Sequence, residues 1–255
     1  AQYPGMAMDL YQNHQSVRRI FETASDVFGR DMHALLATGS AEELRQTANT
    51  QMAVLLAARS ARLVLEEAGC DCVLQAGFSL GELAAMASAG VFDDRQLFCI
   101  ALERGRLMEQ AVAEAEGLYG KTGMAAVLGL SLQTVSSLLE RFGLAHVHVA
   151  NDNSNSQTVI AGPSLALEQA AQLFKEAGAR RVVPLKVSGP FHTPLMESAV
   201  KPFKAFLASI PFHTPEGTLL SSVSGTRVDT GEQAKELLAA QLVTSVNGRA
   251  VMVET

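Results

Sequence analysis

Apolar residues recur at intervals of three and four through residues 8–66, in DLYQNHQSVRRIFETASDVF and NTQMAVLLAARSARLVLEEAG, which predicts amphipathic helices. The pattern then changes. CDCVLQA is a short apolar run between turn residues and predicts a buried strand; it leads into GFSLGELAAMASAG, a glycine-flanked serine followed by an apolar helix. The next helix, DDRQLFCIALERGRLMEQAVAEAEG, starts at an aspartate cap and ends near Gly117. Beyond Gly123, MAAVLGL predicts a strand and SLQTVSSLLERFG a helix. LAHVHVAN and SQTVIAG predict a hairpin around a polar turn, SLALEQAAQLFKEAGA a helix and RRVVPLKVS a strand.

The order β-α-β-β-α-β after Gly123 is the split βαβ arrangement of ferredoxin-like folds. A serine between glycines at a strand-to-helix junction belongs to α/β-hydrolase-like cores. The pattern therefore predicts an α/β chain with an α/β-hydrolase-like large subdomain over 1–121 and 189–255. A ferredoxin-like small subdomain, 122–188, is inserted in it. The larger part resumes with PFHTPLMESAVKPFKAFLASI.

Composition narrows the class. With 255 residues, 48% hydrophobic and 18% charged, the chain can bury a sizeable core. A net charge of −6 argues against nucleic acid as a ligand, because phosphate binding needs a basic face. Cys70, Cys72 and Cys99 are odd in number and form no framework, so they read as reduced thiols of a cytoplasmic protein. No apolar run approaches ~18 residues and no signal peptide is evident, so no membrane span is expected.

Gly77-Phe78-Ser79-Leu80-Gly81 fits G-x-S-x-G. Such a serine sits on a sharp turn, crowded enough that its neighbours must be glycine, and the helix start aims N–H groups at a nascent oxyanion. The plainer reading is a glycine-rich connection with Ser79 as a helix N-cap.

In the helix that follows, Leu97, Ala101, Met108 and Ala111 form one apolar stripe, and Arg104 falls in its middle; Arg106 lies on the opposite face with Arg95. A buried guanidinium keeps its proton and needs an anion. That anion is either a carboxylate of the protein or the carboxylate of a substrate held in a bidentate pair.

His192, in KVSGPFHTPLM, follows a strand and precedes a helix with Thr193 as its cap and Pro194 in the first turn. Strand ends collect functional residues in α/β sheets, and a nucleophilic serine needs a base. His146 and His148 share a strand face without an evident third metal ligand, so no metal site is expected, and Cys99 reads as packing.

Together, GFSLGE, ERGRLMEQA, MAAVLGL, SQTVIAG and VSGPFHTPLM resemble the malonyl-CoA:acyl carrier protein transacylases over nearly the whole chain. The resemblance implies that Ser79 takes malonyl from coenzyme A as an ester and gives it to the phosphopantetheine thiol of an acyl carrier protein in fatty acid biosynthesis. His192 would be base and acid, oriented by the main-chain carbonyl of Gln241 in place of a triad acid. Arg104 would clamp the malonyl carboxylate and the Leu80 N–H would hold the oxyanion. Gln51 and Asn153 match polar positions near the family's site. Phe191 resembles malonyl-selective members, and its ring should disfavour a methylmalonyl branch by ~1–3 kcal/mol. No cofactor is held permanently; the coenzyme A thioester is substrate. Arg180, Arg181, Lys186, Lys201 and Lys204 are candidates for docking the acidic carrier.

Departures stand beside these matches. Many members carry His where Phe78 stands and Pro where Met52 stands. Of the family's opening P-G-Q-G-[SA]-Q only Ala1-Gln2 is present, and QLVTSVNGRAVMVET matches the C-terminal segment loosely, so an incomplete chain is expected. AQYPGM is similar also to the transacylase subunit of malonate decarboxylases, and polyketide systems use similar enzymes. A serine thioesterase or esterase would instead need the order Ser, Asp, His. A degenerate module that only docks a carrier is the non-enzymatic alternative.

Overall fold

The computed structural model describes residues 2–187 and 189–254. Ala1 of the N-terminal match, Ser188 at the expected insert boundary and Thr255 lie outside the described residues. The helical N-terminal third is divided more finely than its periodicity suggests. It contains α1 (Met8–Asn13), α2 (Gln15–Phe28), α3 (Met32–Thr38) and α4 (Thr47–Glu67). The break after α1 comes at His14, whose backbone is extended, and Asp31 caps α3 by accepting from the Ala34 N–H.

The remaining elements are β1 (Leu74–Ala76), α5 (Leu80–Ser88), α6 (Asp94–Tyr119), β2 (Thr122–Leu128), α7 (Leu132–Arg141), β3 (His148–Ser154), β4 (Gln157–Pro163), α8 (Ser164–Glu176) and β5 (Arg181–Pro184). They are followed by α9 (Val200–Leu207), β6 (Thr218–Leu220), α10 (Gly231–Ala240) and α11 (Gly248–Glu254). The helix expected near Gly117 runs on to Tyr119. Its start is a reciprocal cap in which the Gln96 N–H donates to the Asp93 carboxylate at 2.7 Å and the Asp93 N–H to the Gln96 amide oxygen at 2.8 Å.

Backbone contacts group the chain into two compact units, Ala1–Arg106 with Leu207–Leu220 and Arg227–Ala234, and Leu107–Phe206 with Ser221–Thr226 and Lys235–Thr255. In the first, β1 pairs in parallel with β6, Leu74 opposite Thr218 and Ala76 opposite Leu220. Helices supply most of its core, with Val17, Phe21, Leu36, Leu55, Leu56, Leu83 and Phe98 buried.

In the second unit a four-stranded antiparallel sheet has the order β3-β4-β2-β5. One cluster buries Ala125, Val127, Val135, Val147, Ile160 and Phe174; a smaller one holds Met124, Ala126, Ala150, Val159 and Ala161. Alternating residues of β2 thus belong to different clusters, as the pleat requires. The C-terminal segment joins this sheet: Asn151 bridges Val246 in parallel, and the Arg249 guanidinium donates to the buried Asp152 carboxylate at 2.8 Å. Among the described residues no helix is long and apolar enough to cross a membrane.

Candidate active site

β1 ends at Ala76 and α5 begins at Leu80, so strand must become helix within Gly77-Phe78-Ser79. Ser79 adopts φ 52° and ψ −112°, a conformation that a Cβ makes costly. Among the described residues, Ala7 and His192 are the other non-glycine positions with positive φ. A Cβ on Gly77 would fall on the carbonyl carbon and oxygen of Gly81, so this position must be glycine for the turn to close. Gly81 differs: nothing lies within 4 Å of a Cβ built there, so the crowding expected at both glycines holds at Gly77 alone.

Ser79 occupies the N-cap position of α5, yet its hydroxyl makes no capping bond. Instead it accepts from Arg104 Nη2 at 3.2 Å. The plainer reading, a serine retained to cap its helix, predicts the opposite orientation. The Leu80 N–H stands at the first position of α5, where no carbonyl of the same helix can reach it, and the helix dipole adds positive potential.

Arg104 is 2% exposed, and Leu97, Ala101, Met108 and Ala111 on its stripe are buried with it. Arg106, on the other face, is exposed and pairs with Glu103. Burial pushes the pKa of Arg104 down to about 10, and the Glu82 carboxylate opposes that shift. Glu82 is fully buried one helical turn beyond Ser79. Of the two anions open to Arg104 from sequence, a protein carboxylate is therefore present, while the same guanidinium also reaches the serine. Sequence reasoning missed Glu82, because an acid in the first turn of a helix reads as an ordinary dipole partner.

Gln51, on α4, is buried beside the neighbouring glycine: a Cβ on Gly105 would stand 3.2 Å from Gln51 Nε2. Its Oε1 is buried with no protein partner. Met52 is buried in α4 and Phe78 is exposed on the turn. Ser79, Leu80, Arg104 and Gln51 all belong to the first unit, and His192, Gln241, Phe191 and Asn153 to the second.

His192 is 5% exposed, with φ 62°. Its Nδ1 lies 2.8 Å from the Gln241 carbonyl oxygen, just past the end of α10. A carbonyl only accepts, so Nδ1 carries the proton and Nε2 is the basic nitrogen of the neutral ring. The loop before it is closely built. A Cβ on Gly189 would collide with the Val112 side chain and stand 2.8 Å from the Phe191 ring. The fully buried Thr193 hydroxyl donates to the Pro190 carbonyl at 2.5 Å.

That bond corrects one expectation. Thr193 stands at the N-cap of the short 3-10 helix Pro194–Ala199, but its side chain fixes the loop and caps nothing. Phe191 packs on the Met124, Ala126 and Ala161 cluster. Asn153 falls where β3 shifts register between Asp152 and Ser154. His146 lies against the Tyr119 ring at 4.7 Å, and burial together with His146 pushes the His148 pKa down. Among the described residues no group of three possible metal ligands occurs.

The chain also matches known proteins along most of its length. The acyl transferase domain family model matches residues 1–254. The malonyl CoA-acyl carrier protein transacylase of Bacillus subtilis is 32% identical over 248 residues, which is 96% of this chain and 77% of the relative. That of Haemophilus influenzae is 36% identical over 249 residues, 96% of this chain and 78% of the relative. Among solved structures, an acyl carrier protein S-malonyltransferase from Vibrio cholerae superimposes with a TM-score of 0.92 at 34% identity, covering 99% of this chain and 82% of that one. A malonyl-transacylase solved in complex with its type II PKS acyl-carrier protein gives a TM-score of 0.90 at 35% identity, over 97% of this chain and 79% of that one. The chain shares with these structures a mixed α/β fold.

Proposed function

Because this chain belongs to the acyl transferase domain family, we propose that it is an acyl-carrier-protein S-malonyltransferase. It moves malonyl from malonyl-CoA to the phosphopantetheine thiol of an acyl carrier protein, through an ester on Ser79, in fatty acid biosynthesis. The observation that carries this reading is the buried Arg104 guanidinium 3.2 Å from the Ser79 hydroxyl. A cation kept out of water beside a nucleophile suits an acyl group whose far end is a carboxylate, which a guanidinium grips with two parallel bonds.

In the proposed mechanism Ser79 Oγ attacks the thioester carbonyl while His192 Nε2 takes its proton. The Gln241 carbonyl holds the Nδ1 proton in place, so the base needs no carboxylate to set its tautomer. The tetrahedral oxyanion is stabilised by the Leu80 N–H and the positive end of α5. The C–S bond then breaks, and His192 returns its proton to the departing coenzyme A sulfur. In the second half-reaction the carrier thiol loses its proton to His192 and attacks the ester carbonyl. The C–O bond to Ser79 breaks and the proton goes back to the serine. Gln51 and Asn153 are assigned to contacts with the acyl thioester, and Phe191 to the space beside the malonyl methylene.

The test is intact-protein mass spectrometry after malonyl-CoA. The native chain should gain one malonyl group and the Ser79→Ala variant none; labelling that survives the substitution removes the serine mechanism. A second reading, a polyketide carrier as acceptor, is supported by the likeness to a transacylase bound to a type II PKS acyl-carrier protein. Relative transfer rates to carriers of the two kinds separate them.

The parallel β1–β6 pair leading into the Ser79 turn supports an α/β-hydrolase-like subdomain over 1–121 and 189–255. The strand order β3-β4-β2-β5, with α7 and α8 between its strands, supports a ferredoxin-like insert over 122–188. Arg180, Arg181, Lys186, Lys201 and Lys204 are all exposed and are assigned to docking of the acidic carrier. Cys70, Cys72 and Cys99 are unbridged thiols, which supports a cytoplasmic protein.

A further inference from the structure

Three helices of the first unit each carry one piece of the candidate site. α4 carries Gln51, α5 begins just after Ser79, and α6 carries Arg104. They come together near the site through the Arg104–Ser79 bond and at Gly105, where an added Cβ would stand 3.2 Å from Gln51 Nε2. The same three helices are tied together a second time, at a distance. Arg59 on α4 donates from Nε to Asp94 Oδ1 at 2.6 Å and from Nη2 to Asp94 Oδ2 at 3.2 Å, at the start of α6. Its Nη1 donates to Ser88 Oγ at 3.0 Å, at the end of α5. The Arg59 side chain is only 9% exposed, so this forked pair works in a partly dry setting where geometry is held firmly.

We propose that Arg59, through Asp94 and Ser88, is a positioning residue for malonyl selection: it sets the relative tilt of α4, α5 and α6 and thereby the approach of Arg104 to Ser79. The inference rests on the proposed transferase reading. At 1.5 Å per residue the tie lies ~12 Å from Gln51 along α4, ~12 Å from Leu80 along α5 and ~15 Å from Arg104 along α6. On a 15 Å arm, a tilt of ~4° displaces the far end by ~1 Å. A 1 Å error at reacting groups can cost ~10² in rate. Acylation by acetyl-CoA does not need the Arg104 grip, so a tilt should act on malonyl transfer selectively.

The experiment measures single-turnover acylation of the full chain by malonyl-CoA and by acetyl-CoA, well below the unfolding temperature. The native chain must first take up malonyl on Ser79; failure there overturns the proposed function, and the selection role of Arg59 with it. Given that labelling, Arg59→Met should lower the malonyl rate about tenfold and the malonyl-to-acetyl ratio by a similar factor. Arg59→Lys should recover part of the ratio, since an ammonium still pairs with Asp94 but cannot fork. Asp94→Asn combined with Arg59→Met should be no worse than Arg59→Met alone. If Arg59→Met fails to fold, Ser88→Ala removes one leg of the tie and should still lower the ratio two- to threefold, of the order expected for one hydrogen bond. A lowered melting temperature with an unchanged ratio in these variants overturns the proposal, leaving Arg59 as a structural tie only.

Discussion

Replacing Arg104 by alanine separates recognition from chemistry and exposes what burial costs. The guanidinium is 2% exposed and donates to Ser79 at 3.2 Å, so in the acyl complex it and the malonyl carboxylate would form a desolvated charge pair. Truncating one partner of such a pair costs about 2–5 kcal/mol, a factor of about 30 to 5,000 in kcat/KM for malonyl-CoA. Acetyl-CoA has no carboxylate to lose, so its rate should hold or rise. Stability should fall as well, because the fully buried Glu82 carboxylate loses a neighbouring cation that helps offset its burial. Arg104→Ala/Glu82→Gln should therefore regain stability without regaining malonyl transfer. The assay is single-turnover acylation followed by mass spectrometry, with thermal unfolding in parallel. Malonyl and acetyl rates that drop together in Arg104→Ala refute the carboxylate grip.

Other substitutions probe the remaining parts. His192→Ala should slow both half-reactions by roughly 10²–10⁴, read as separate acylation and deacylation rates, and near-normal acylation would reassign the base. Gly77→Ala should unfold at lower temperature and lose labelling, since its Cβ would meet the Gly81 backbone, whereas Gly81→Ala should leave the melting temperature intact. Equal effects at the two glycines would show that the turn is not built as described. Phe191→Ala should raise acylation by methylmalonyl-CoA relative to malonyl-CoA about tenfold or more; an unchanged ratio removes the ring as the selector.

Periodicity made much of this legible. The stripe through Leu97, Ala101, Met108 and Ala111 exposed Arg104 as a cation on a buried face, and the structure buries every member of it. The Gly77–Gly81 spacing located the strand-to-helix turn, and the positions of β2 to β5 follow the alternation after Gly123. Less was legible where local pattern is ambiguous. CDCVLQA yields a strand of three residues only, because its register is set by pairing with β6, whose short run Thr218–Leu220 carries little pattern of its own. The break at His14, where the backbone is extended between α1 and α2, is not encoded by residue spacing along one helix.

By itself, the amino-acid sequence determined which side chains had to be buried, where the chain could turn, and which residues of the site were chemically unusual. Those properties depend on neighbours three or four positions away and on backbone freedom at single residues. Tertiary structure alone decided that the Ser79 hydroxyl faces Arg104 and leaves its helix uncapped, that Glu82 shares the dry space around that cation, that Gln241 offers its carbonyl to His192, and that Arg59 reaches Asp94 and Ser88. Each of these joins residues on different elements or gives a local polar group a partner other than its local one. Burial selects among the possible pairings, because a buried charge or hydroxyl must find a partner in the one arrangement that also packs the apolar faces.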